Sequence, residues 1–354
     1  MMHYDFNGHK LMYHPGRVAQ FLAEGDCYPL YMEISPSGVC NHRCIFCAYD
    51  FLDYPNRRLE KERTLTLLDE LADCGLRSIL FAGEGEPLIH PNIAEFIKRA
   101  HRNGIDVGLF TNGQLLNRKM AESILPELTF VRLSFNGGTR ENYAKIHSVR
   151  PEIFDTVIMN IREAVRIKQS AGLEVDIGAQ FVLLPENGQY LVPAAEILRE
   201  CGMDYFAIKP FMQRELQTYR LQKQDSQTSL FELFRSVENV KTASFAVIVR
   251  RDAFMKNDVR RYHHCYGTSF MTVLNSAGVI GTCLPYWERE EFSYGSIYQH
   301  SFKELWNSER RRAIKRNLEQ SIDSFACPTD CRPHAVNEFL SNLKHPSVKH
   351  VNFI

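Results

Sequence analysis

The distribution of cysteines constrains this chain more than any other feature of its sequence. Seven of the ten cysteines fall into two groups, one near residue 40 and one near the C-terminus. The first group is Cys40, Cys44 and Cys47, and the second is Cys265, Cys283, Cys327 and Cys331. In a reducing compartment such thiols are poor disulfide candidates and serve more often as metal ligands or reactive groups. Any fold of this chain must therefore account for two separate groups of thiols.

The composition is that of a globular protein without an electrostatic bias. The 354 residues include 42 Lys and Arg and 42 Asp and Glu, so the formal net charge is zero and offers no general attraction to nucleic acid or anionic membranes. The first ten residues are polar and lack the apolar stretch of a signal peptide, and no apolar run is long enough to span a bilayer. We therefore expect a cytoplasmic protein with neither nucleic-acid nor membrane partners.

Strand-like and helix-like patterns alternate from about residue 30 to residue 210. Six short apolar segments, rich in β-branched and aromatic residues, predict strands at 31–35, 78–82, 106–111, 130–135, 174–183 and 205–209. Amphipathic segments between them predict helices, one of which starts with a capping box of Asn92 and Glu95. Repeated strand–helix units require parallel strands. Six units suit an α/β fold, either an open partial barrel or a doubly wound sheet, with functional residues at the carboxyl ends of the strands.

Four segments follow from these patterns. We predict an N-terminal extension at 1–29, a barrel at 30–215, a polar connector at 216–260 and a cysteine-containing domain at 261–354. In the last segment, Gly278 lies between two short strand-like runs and predicts a tight hairpin. A helix predicted from Phe302 to Leu318 carries five basic residues, which we interpret as a solvated face. These are Arg310, Arg311, Arg312, Lys315 and Arg316.

The spacing of the first cysteine group, C-x3-C-x2-C, indicates an iron–sulfur site. The three cysteines directly follow the first predicted strand, so they lie on a loop at its carboxyl end. Three thiolates can hold three irons of a four-iron cluster and leave the fourth iron open to a substrate or cosubstrate. Zinc is the alternative, with His42 as a fourth ligand, although that position inside the loop would strain the site.

This region resembles the radical S-adenosylmethionine (radical SAM) superfamily. The resemblance rests on the cysteine spacing, its place after the first strand, and Phe46 just before the third cysteine. It implies a partial (β/α)6 barrel and a [4Fe-4S] cluster whose open iron binds S-adenosylmethionine. It also implies reductive cleavage to a 5′-deoxyadenosyl radical that abstracts hydrogen from a substrate, with an electron donor such as flavodoxin or ferredoxin. Phe46 matches the residue that packs near the adenine.

Further motifs of the family follow the later strands. Gly85-Glu86-Pro87 resembles the segment that binds the methionine amino group, although Glu84 stands where the family has a glycine. The resemblance implies cofactor contacts at five other positions. These are Asn112 after the third strand, Ser134 and Asn136 after the fourth, Arg150 for the methionine carboxylate, and Gln180 on the fifth. A guanidinium suits a carboxylate partner.

The second cysteine group resembles the auxiliary-cluster domains of the same superfamily. Cys265, Gly278 and Cys283 match the pattern C-x12-G-x4-C that opens SPASM and Twitch domains, and Cys327 and Cys331 supply two more thiolates. The resemblance implies a second [4Fe-4S] cluster, fully ligated and therefore an electron relay. Four-thiolate zinc remains an alternative. Such a relay favours oxidation of a substrate radical, as in radical SAM dehydrogenases and sulfatase-maturating enzymes.

The substrate and the reaction leave alternatives open. Peptide-modifying relatives often carry a leader-binding module, for which the 39 residues before Cys40 are too few. We therefore predict a small-molecule substrate, such as a sugar, nucleotide sugar or aminocyclitol, with Lys209 as its binding or catalytic residue. A peptide substrate is an alternative. Epimerisation is another alternative. It needs a thiol that returns a hydrogen atom to the substrate radical, but Cys74 and Cys201 fall in predicted helices, where we expect them to pack in the core. A zinc-stabilised, non-enzymatic scaffold is a third.

Overall fold

The computed structural model describes residues 4, 9–221, 227–255, 260–324, 327 and 331–353, and of 227–229 the backbone alone. Most of the first eight residues, parts of the predicted connector and residues 328–330 between the last two cysteines lie outside this description. Within these ranges, no helix has the length and apolar character needed to cross a membrane.

Parallel strands in chain order form the main body of the sheet. They are β1 (Tyr31–Ile34), β2 (Ser78–Phe81), β3 (Asp106–Thr111), β4 (Phe130–Ser134), β5 (Asp176–Leu183), β6 (Tyr205–Pro210) and β7 (Ala246–Val249). The six predicted strands are confirmed as β1 to β6. The structure adds β7 in the segment predicted as a connector, where a four-residue apolar run pairs in parallel with β6.

Helices precede, connect and follow these strands, and all but the first contribute side chains to the core beneath the sheet. They are α1 (Pro15–Glu24), α2 (Lys61–Asp73), α3 (Ile93–Arg102), α4 (Arg118–Ile124), α5 (Arg140–His147), α6 (Glu152–Ala171), α7 (Leu191–Glu200), α8 (Gln227–Glu238) and α9 (Arg251–Met255). Side chains alternate along each strand, so Val131 and Leu133 of β4 join the core under the helices while Ser134 faces the opposite side. The predicted capping box of α3 is wrong, because the Asn92 amide donates to Glu95 Oε1 at 3.1 Å and does not cap the backbone.

The C-terminal domain continues the same sheet. Its strands are β8 (Met271–Leu274), β9 (Val279–Gly281) and β10 (Ser293–Ser296). The predicted hairpin is confirmed: Gly278 turns β8 into the antiparallel β9 with a φ of +78°, a conformation that glycine adopts without strain. β8 also pairs in parallel with β1, from Tyr31 opposite Met271 to Ile34 opposite Leu274. The barrel and the C-terminal domain therefore share one hydrogen-bonded sheet.

The basic helix near the C-terminus contains a buried ion pair. The predicted helix is two helices, α10 (Phe302–Trp306) and α11 (Glu309–Gln320), and α12 (His334–Lys344) follows. Arg311 is 1% exposed, donates to both Asp26 carboxylate oxygens at 2.5 and 2.9 Å, and lies over the Trp306 ring at 3.7 Å. The interpretation of the basic run as a solvated face is therefore wrong for Arg311. Burial alone raises the pKa of Asp26, but the hydrogen bonds and charge of Arg311 outweigh burial and lower it.

Replacing Arg311 with Met should lower the free energy of unfolding by about 2 kcal/mol. The variant leaves Asp26 without its cation, and breaking a buried pair costs about 3–5 kcal/mol; here Asp26 is partly exposed, so we expect a smaller loss. Urea unfolding followed by circular dichroism measures the change. Arg312→Met is the matched control because Arg312 is exposed on the same helix. Equal stability of the two variants would contradict a structural role for the buried pair.

Candidate functional site

The first cysteine group lies on a loop that the protein holds against the end of α5. Arg43 N donates to His147 O at 3.1 Å, and Ile45 N donates to Ile146 O at 3.0 Å. These backbone hydrogen bonds place the loop from Cys40 to Cys47 at the carboxyl end of β1, where the sequence predicted it. In a partial barrel this is the end at which functional residues gather.

The donor set of this loop fits an iron–sulfur cluster. Burial is the main cause that raises the pKa of all three thiols, that of Cys40 to about 12. At Cys44 the neighbouring charges of Cys47 and Cys40 raise the pKa further, so the three thiols interact electrostatically. Neighbouring thiols with raised pKa values are stabilised as thiolates when a metal cation binds them. Three thiolates on one loop suit a four-iron cluster with one open iron.

The carboxylate of Glu86 organises the turns that follow β2 and β3. Glu86 is buried, and its two oxygens accept hydrogen bonds from Leu88 N at 3.0 Å, Thr111 Oγ1 at 2.7 Å and Asn112 N at 2.8 Å. Burial raises the pKa of Glu86, although these hydrogen bonds oppose the rise. In this structure Glu86 therefore positions the turn that carries Asn112. A direct cofactor contact of Glu86 stays a prediction.

Asn112 connects this turn to the cysteine loop. Its Nδ2 donates to Asn41 Oδ1 at 2.6 Å, and Asn41 Nδ2 donates to Gln114 Oε1 at 2.8 Å. The same Gln114 oxygen lies 3.0 Å from His42 Nε2. These hydrogen-bonded side chains hold the cysteine loop against the turn after β3. The sequence analysis singled out neither Asn41 nor Gln114. Their type and spacing carried no signal, since Asn and Gln are common in turns.

Glu84 faces the C-terminal domain. Gly83 and Gly85 on either side of it have φ of +87° and +70°, a backbone shape that needs glycine at both positions. The Glu84 carboxylate is buried, pairs with Arg57 at 3.0 Å and accepts a hydrogen bond from Ser276 N in the β8–β9 turn at 2.7 Å. Glu84, which departs from the family pattern, thus links the turn after β2 to the β8–β9 hairpin of the C-terminal domain.

The sides of β4, β5 and β6 that face away from the helices carry three of the predicted residues. Ser134 lies beside Gln180 in register, and Lys209 lies beside Val182, two residues further along β5. Asn136 is fully buried; its Oδ1 accepts from Val182 N at 2.6 Å and its Nδ2 lies 3.3 Å from Ser134 Oγ. The structure therefore brings Ser134, Gln180 and Lys209 to one face of the sheet, and Asn136 lies just beyond the end of β4. Their ligand contacts stay predictions.

Phe46 and Arg150 have different surroundings. Phe46 packs in an apolar cluster with Ile146 and Phe211, and its carbonyl accepts from Gln217 Nε2 at 2.7 Å, so the segment after β6 covers the cysteine loop. Arg150 is exposed between α5 and α6. Among the described residues, no contact of Arg150 with the cysteine loop is found, and its role with the methionine carboxylate stays a prediction.

The sequence analysis missed His147, which lies directly under the cysteine loop. His147 is fully buried, and its Nδ1 lies 3.2 Å from Cys44 Sγ. Burial, together with the charge of the nearby His42, lowers the pKa of His147 well below its usual value. His42, Cys44 and His147 offer ligand atoms within 4.8 Å of one another, so His42 lies closer to the thiols than its loop position suggested. A lone histidine at a helix end gave no pattern to recognise.

The cysteines of the second group come from different parts of the C-terminal domain, Cys265 and Cys283 from its beginning and Cys327 and Cys331 from its later part. Burial raises the pKa of Cys265, of Cys283 to about 12, and of Cys331. The charge of Cys327 raises all three further, and that of Cys265 also raises the pKa of Cys283 and Cys331. Tyr286 Oη lies 3.8 Å from Cys327 Sγ. Asn337 Oδ1 accepts from the backbone N–H groups of Tyr266 and Gly267 at 2.9 and 2.7 Å, which turns its Nδ2 towards Cys265 Sγ at 3.4 Å. Four thiols that interact electrostatically in this way suit a fully ligated cluster.

Comparison with protein families agrees with both sites. A model of the radical SAM superfamily matches residues 34–198, which span the cysteine loop and the strands β2 to β5. A model of the SPASM iron–sulfur cluster-binding domain matches residues 265–333, which contain the second cysteine group. The chain belongs to the radical SAM superfamily and has a C-terminal SPASM domain. Its cofactors are a [4Fe-4S] cluster with S-adenosylmethionine and an auxiliary iron–sulfur cluster in the SPASM domain.

Individual relatives of this radical SAM chain differ in what they cover. It is 36% identical over 118 residues to a GTP 3′,8-cyclase of Chlorobaculum tepidum. The aligned segment covers 33% of this chain and only 36% of the cyclase. It is 22% identical over 296 residues to the tungsten-containing aldehyde ferredoxin oxidoreductase cofactor-modifying protein of Pyrococcus furiosus, covering 79% of this chain and 81% of that one.

A solved structure gives the same fold for this radical SAM chain. Streptococcus suis SuiB bound to S-adenosylmethionine superposes with a TM-score of 0.66 at 18% identity, over 86% of this chain and 72% of SuiB. At this identity the likeness shows the fold alone. The predicted α/β partial barrel with a small iron–sulfur domain is therefore confirmed.

Proposed function

We propose that this radical SAM enzyme oxidises a carbon that carries a hydroxyl or amine on a small substrate, such as a sugar, nucleotide sugar or aminocyclitol. The observation that carries the proposal is a contact between the two cysteine sites. Trp287, four residues after Cys283, packs edge-on against Tyr49, two residues after Cys47, with ring centroids 5.2 Å apart. This contact joins the SPASM domain to the segment just after the first cysteine loop, and it supports electron transfer between the two cysteine sites.

The remaining cysteines support oxidation over epimerisation. Cys74 and Cys201 are the residues just after α2 and α7, one position beyond the helices predicted to contain them, and both pack against the core under the helices. The Cys27 thiol is buried and lies 3.4 Å from Ser269 O. None of the three lies among the residues that face the open side of the barrel. A thiol that returns hydrogen to a substrate radical would need to reach that side.

The reaction balances as a two-electron oxidation. When bound, the cofactors supply a 5′-deoxyadenosyl radical and a one-electron acceptor. The substrate loses a hydrogen atom from carbon, then a proton from the adjacent hydroxyl or amine, and finally one electron, and a carbon–oxygen or carbon–nitrogen double bond forms. No hydrogen returns to the carbon, so a reaction of this type needs an acceptor rather than a thiol donor.

Polar groups on the open side of the barrel support a small hydroxylated substrate. Glu33 of β1 is buried there and pairs with Arg332 of the SPASM domain at 2.7 Å. Gln180 and Lys209 lie on the same side of β5 and β6. Groups of both charge signs and an amide thus line this side of the sheet, and hydroxyl or phosphate groups of a substrate can hydrogen-bond to such groups. In this proposal Lys209 binds the substrate.

Incubating the anaerobically reconstituted enzyme with S-adenosylmethionine, dithionite and a panel of cyclitols, aminocyclitols and nucleotide sugars should reveal one compound that raises 5′-deoxyadenosine formation. We expect a product two mass units lighter than that compound, formed one-to-one with 5′-deoxyadenosine. The control panel consists of synthetic peptides, because SuiB, of the same fold, has been solved with its precursor peptide. A product of unchanged mass that gains deuterium from deuterated water would replace oxidation by epimerisation, and turnover of peptides alone would reject the small substrate.

A further inference from the structure

We propose that His147 donates a hydrogen bond from its Nδ1–H to the Cys44 sulfur and thereby raises the reduction potential of the S-adenosylmethionine-binding cluster. The inference concerns a positioning residue and is independent of the proposed substrate reaction. It requires only that Cys44 ligates the cluster. The distance from His147 Nδ1 to Cys44 Sγ is 3.2 Å; His147 is fully buried and Cys44 is half-buried.

The hydrogen bonds on the other side of the ring determine which nitrogen carries the proton. His147 Nε2 faces the backbone N–H of Asn136 at 3.3 Å and the Asn136 side-chain amide at 3.4 Å. The amide orientation is fixed because Asn136 Oδ1 accepts from Val182 N at 2.6 Å, which leaves Nδ2 towards the ring. Both groups that face Nε2 are donors, so Nε2 must present its lone pair. The proton of a neutral ring is then on Nδ1, pointing at Cys44.

Packing holds the ring in this orientation. The Tyr143 ring stacks on His147 with centroids 4.1 Å apart and an angle of 24° between the planes. Tyr143 is itself fully buried, one turn earlier on α5. The loop that carries Cys44 is attached to the same helix end, since Arg43 N donates to His147 O. The donor and the sulfur are therefore parts of one rigid unit, and the hydrogen bond costs little ordering entropy.

An N–H donor at a ligand sulfur acts on the cluster through charge. Adding an electron makes the cluster more negative, and a hydrogen bond from a neutral donor stabilises the more negative state more strongly. Hydrogen bonds to the sulfurs are one of the factors that set the potentials of iron–sulfur clusters. Removing the donor should therefore make the cluster harder to reduce without removing any iron ligand.

Three substitutions at position 147 separate the hydrogen bond from packing. Phe keeps the ring that stacks on Tyr143 and removes both nitrogens. Asn places an amide nitrogen close to the position of Nδ1, and Gln places its polar atoms closer to that of Nε2. The readout is a potentiometric titration of the reconstituted full chain, followed by electron paramagnetic resonance. Adding S-adenosylmethionine identifies the signal of the first cluster, because only an open iron binds it. Iron and zinc are counted in every sample.

At a fixed ambient potential, we expect His147→Phe and His147→Gln to lower the ratio of reduced to oxidised cluster about tenfold, which is about 59 mV for a one-electron couple. His147→Asn should remain near the parent protein, and all three should keep the parent iron content. A parent-like potential in His147→Phe at full iron content would overturn the proposal. Equal loss of iron in all three variants would assign His147 a purely structural role. Zinc bound by the parent and lost in these variants would make His42, Cys44 and His147 a zinc site instead.

Discussion

Replacing Cys44 with Ala should abolish reductive cleavage of S-adenosylmethionine. Cys44 is the middle thiol of the loop, and its removal leaves two thiolates, too few to hold three irons of the cluster. We expect 5′-deoxyadenosine formation to fall at least a hundredfold, to the background of the assay. The measurement is chromatographic quantification after anaerobic reconstitution and reduction, together with the iron content of the chain.

Cys74→Ala is the matched control for this experiment. Cys74 is half-buried at the end of α2 and packs against the core, away from the cysteine loop. The control should therefore keep both its iron and its 5′-deoxyadenosine formation. Undiminished cleavage in reconstituted Cys44→Ala would show that the first cysteine group is not the site of the cluster.

Replacing Cys283 with Ala should remove the auxiliary cluster and leave the first one in place. Cys283 is buried, which raises its pKa, and the charges of Cys265 and Cys327 raise it further. If four thiolates hold a [4Fe-4S] cluster, the parent chain contains about eight irons and the variant about four. Cleavage of S-adenosylmethionine should persist, whereas substrate oxidation should stop because the electron acceptor is gone.

The metal content decides between iron and zinc in the SPASM domain. Cys27→Ala is the control, since Cys27 packs beside Ser269 outside the second cysteine group. A parent chain with about four irons and one zinc, the zinc lost on replacing Cys283, would assign the four cysteines to zinc. Full oxidation activity in Cys283→Ala would mean that the auxiliary cluster is not the electron acceptor.

Local sequence patterns were sufficient for the main body of the fold. Strands β1 to β6 lie within a residue or two of the predicted segments, because buried parallel strands are short apolar runs between turns and helices. The turn at Gly278 was equally readable, since few residues other than glycine adopt its φ. The cysteine loop was identified because its chemistry depends on spacing within one short segment.

Contacts between distant segments were not readable from the sequence. Arg311 looked like one member of a basic run, and only the approach of Asp26, 285 residues earlier, explains its burial. His147 gained its place from the meeting of the cysteine loop with α5, more than a hundred residues further along the chain. Glu84 departs from the family pattern, and its partner Ser276 lies in another domain. Each of these side chains is determined by tertiary structure rather than by local propensity.

The pairing of β8 with β1 has a consequence for how the chain can be divided. Four residues of β1 take up hydrogen-bonding partners on both sides, β2 on one and β8 on the other. A chain ending before the SPASM domain would expose the β8-facing backbone groups of β1, directly before the loop that carries Cys40. Such an unprotected edge invites pairing with a second molecule and aggregation. The barrel and the SPASM domain thus share backbone hydrogen bonds, and β8 covers the edge of the strand that precedes the cysteine loop.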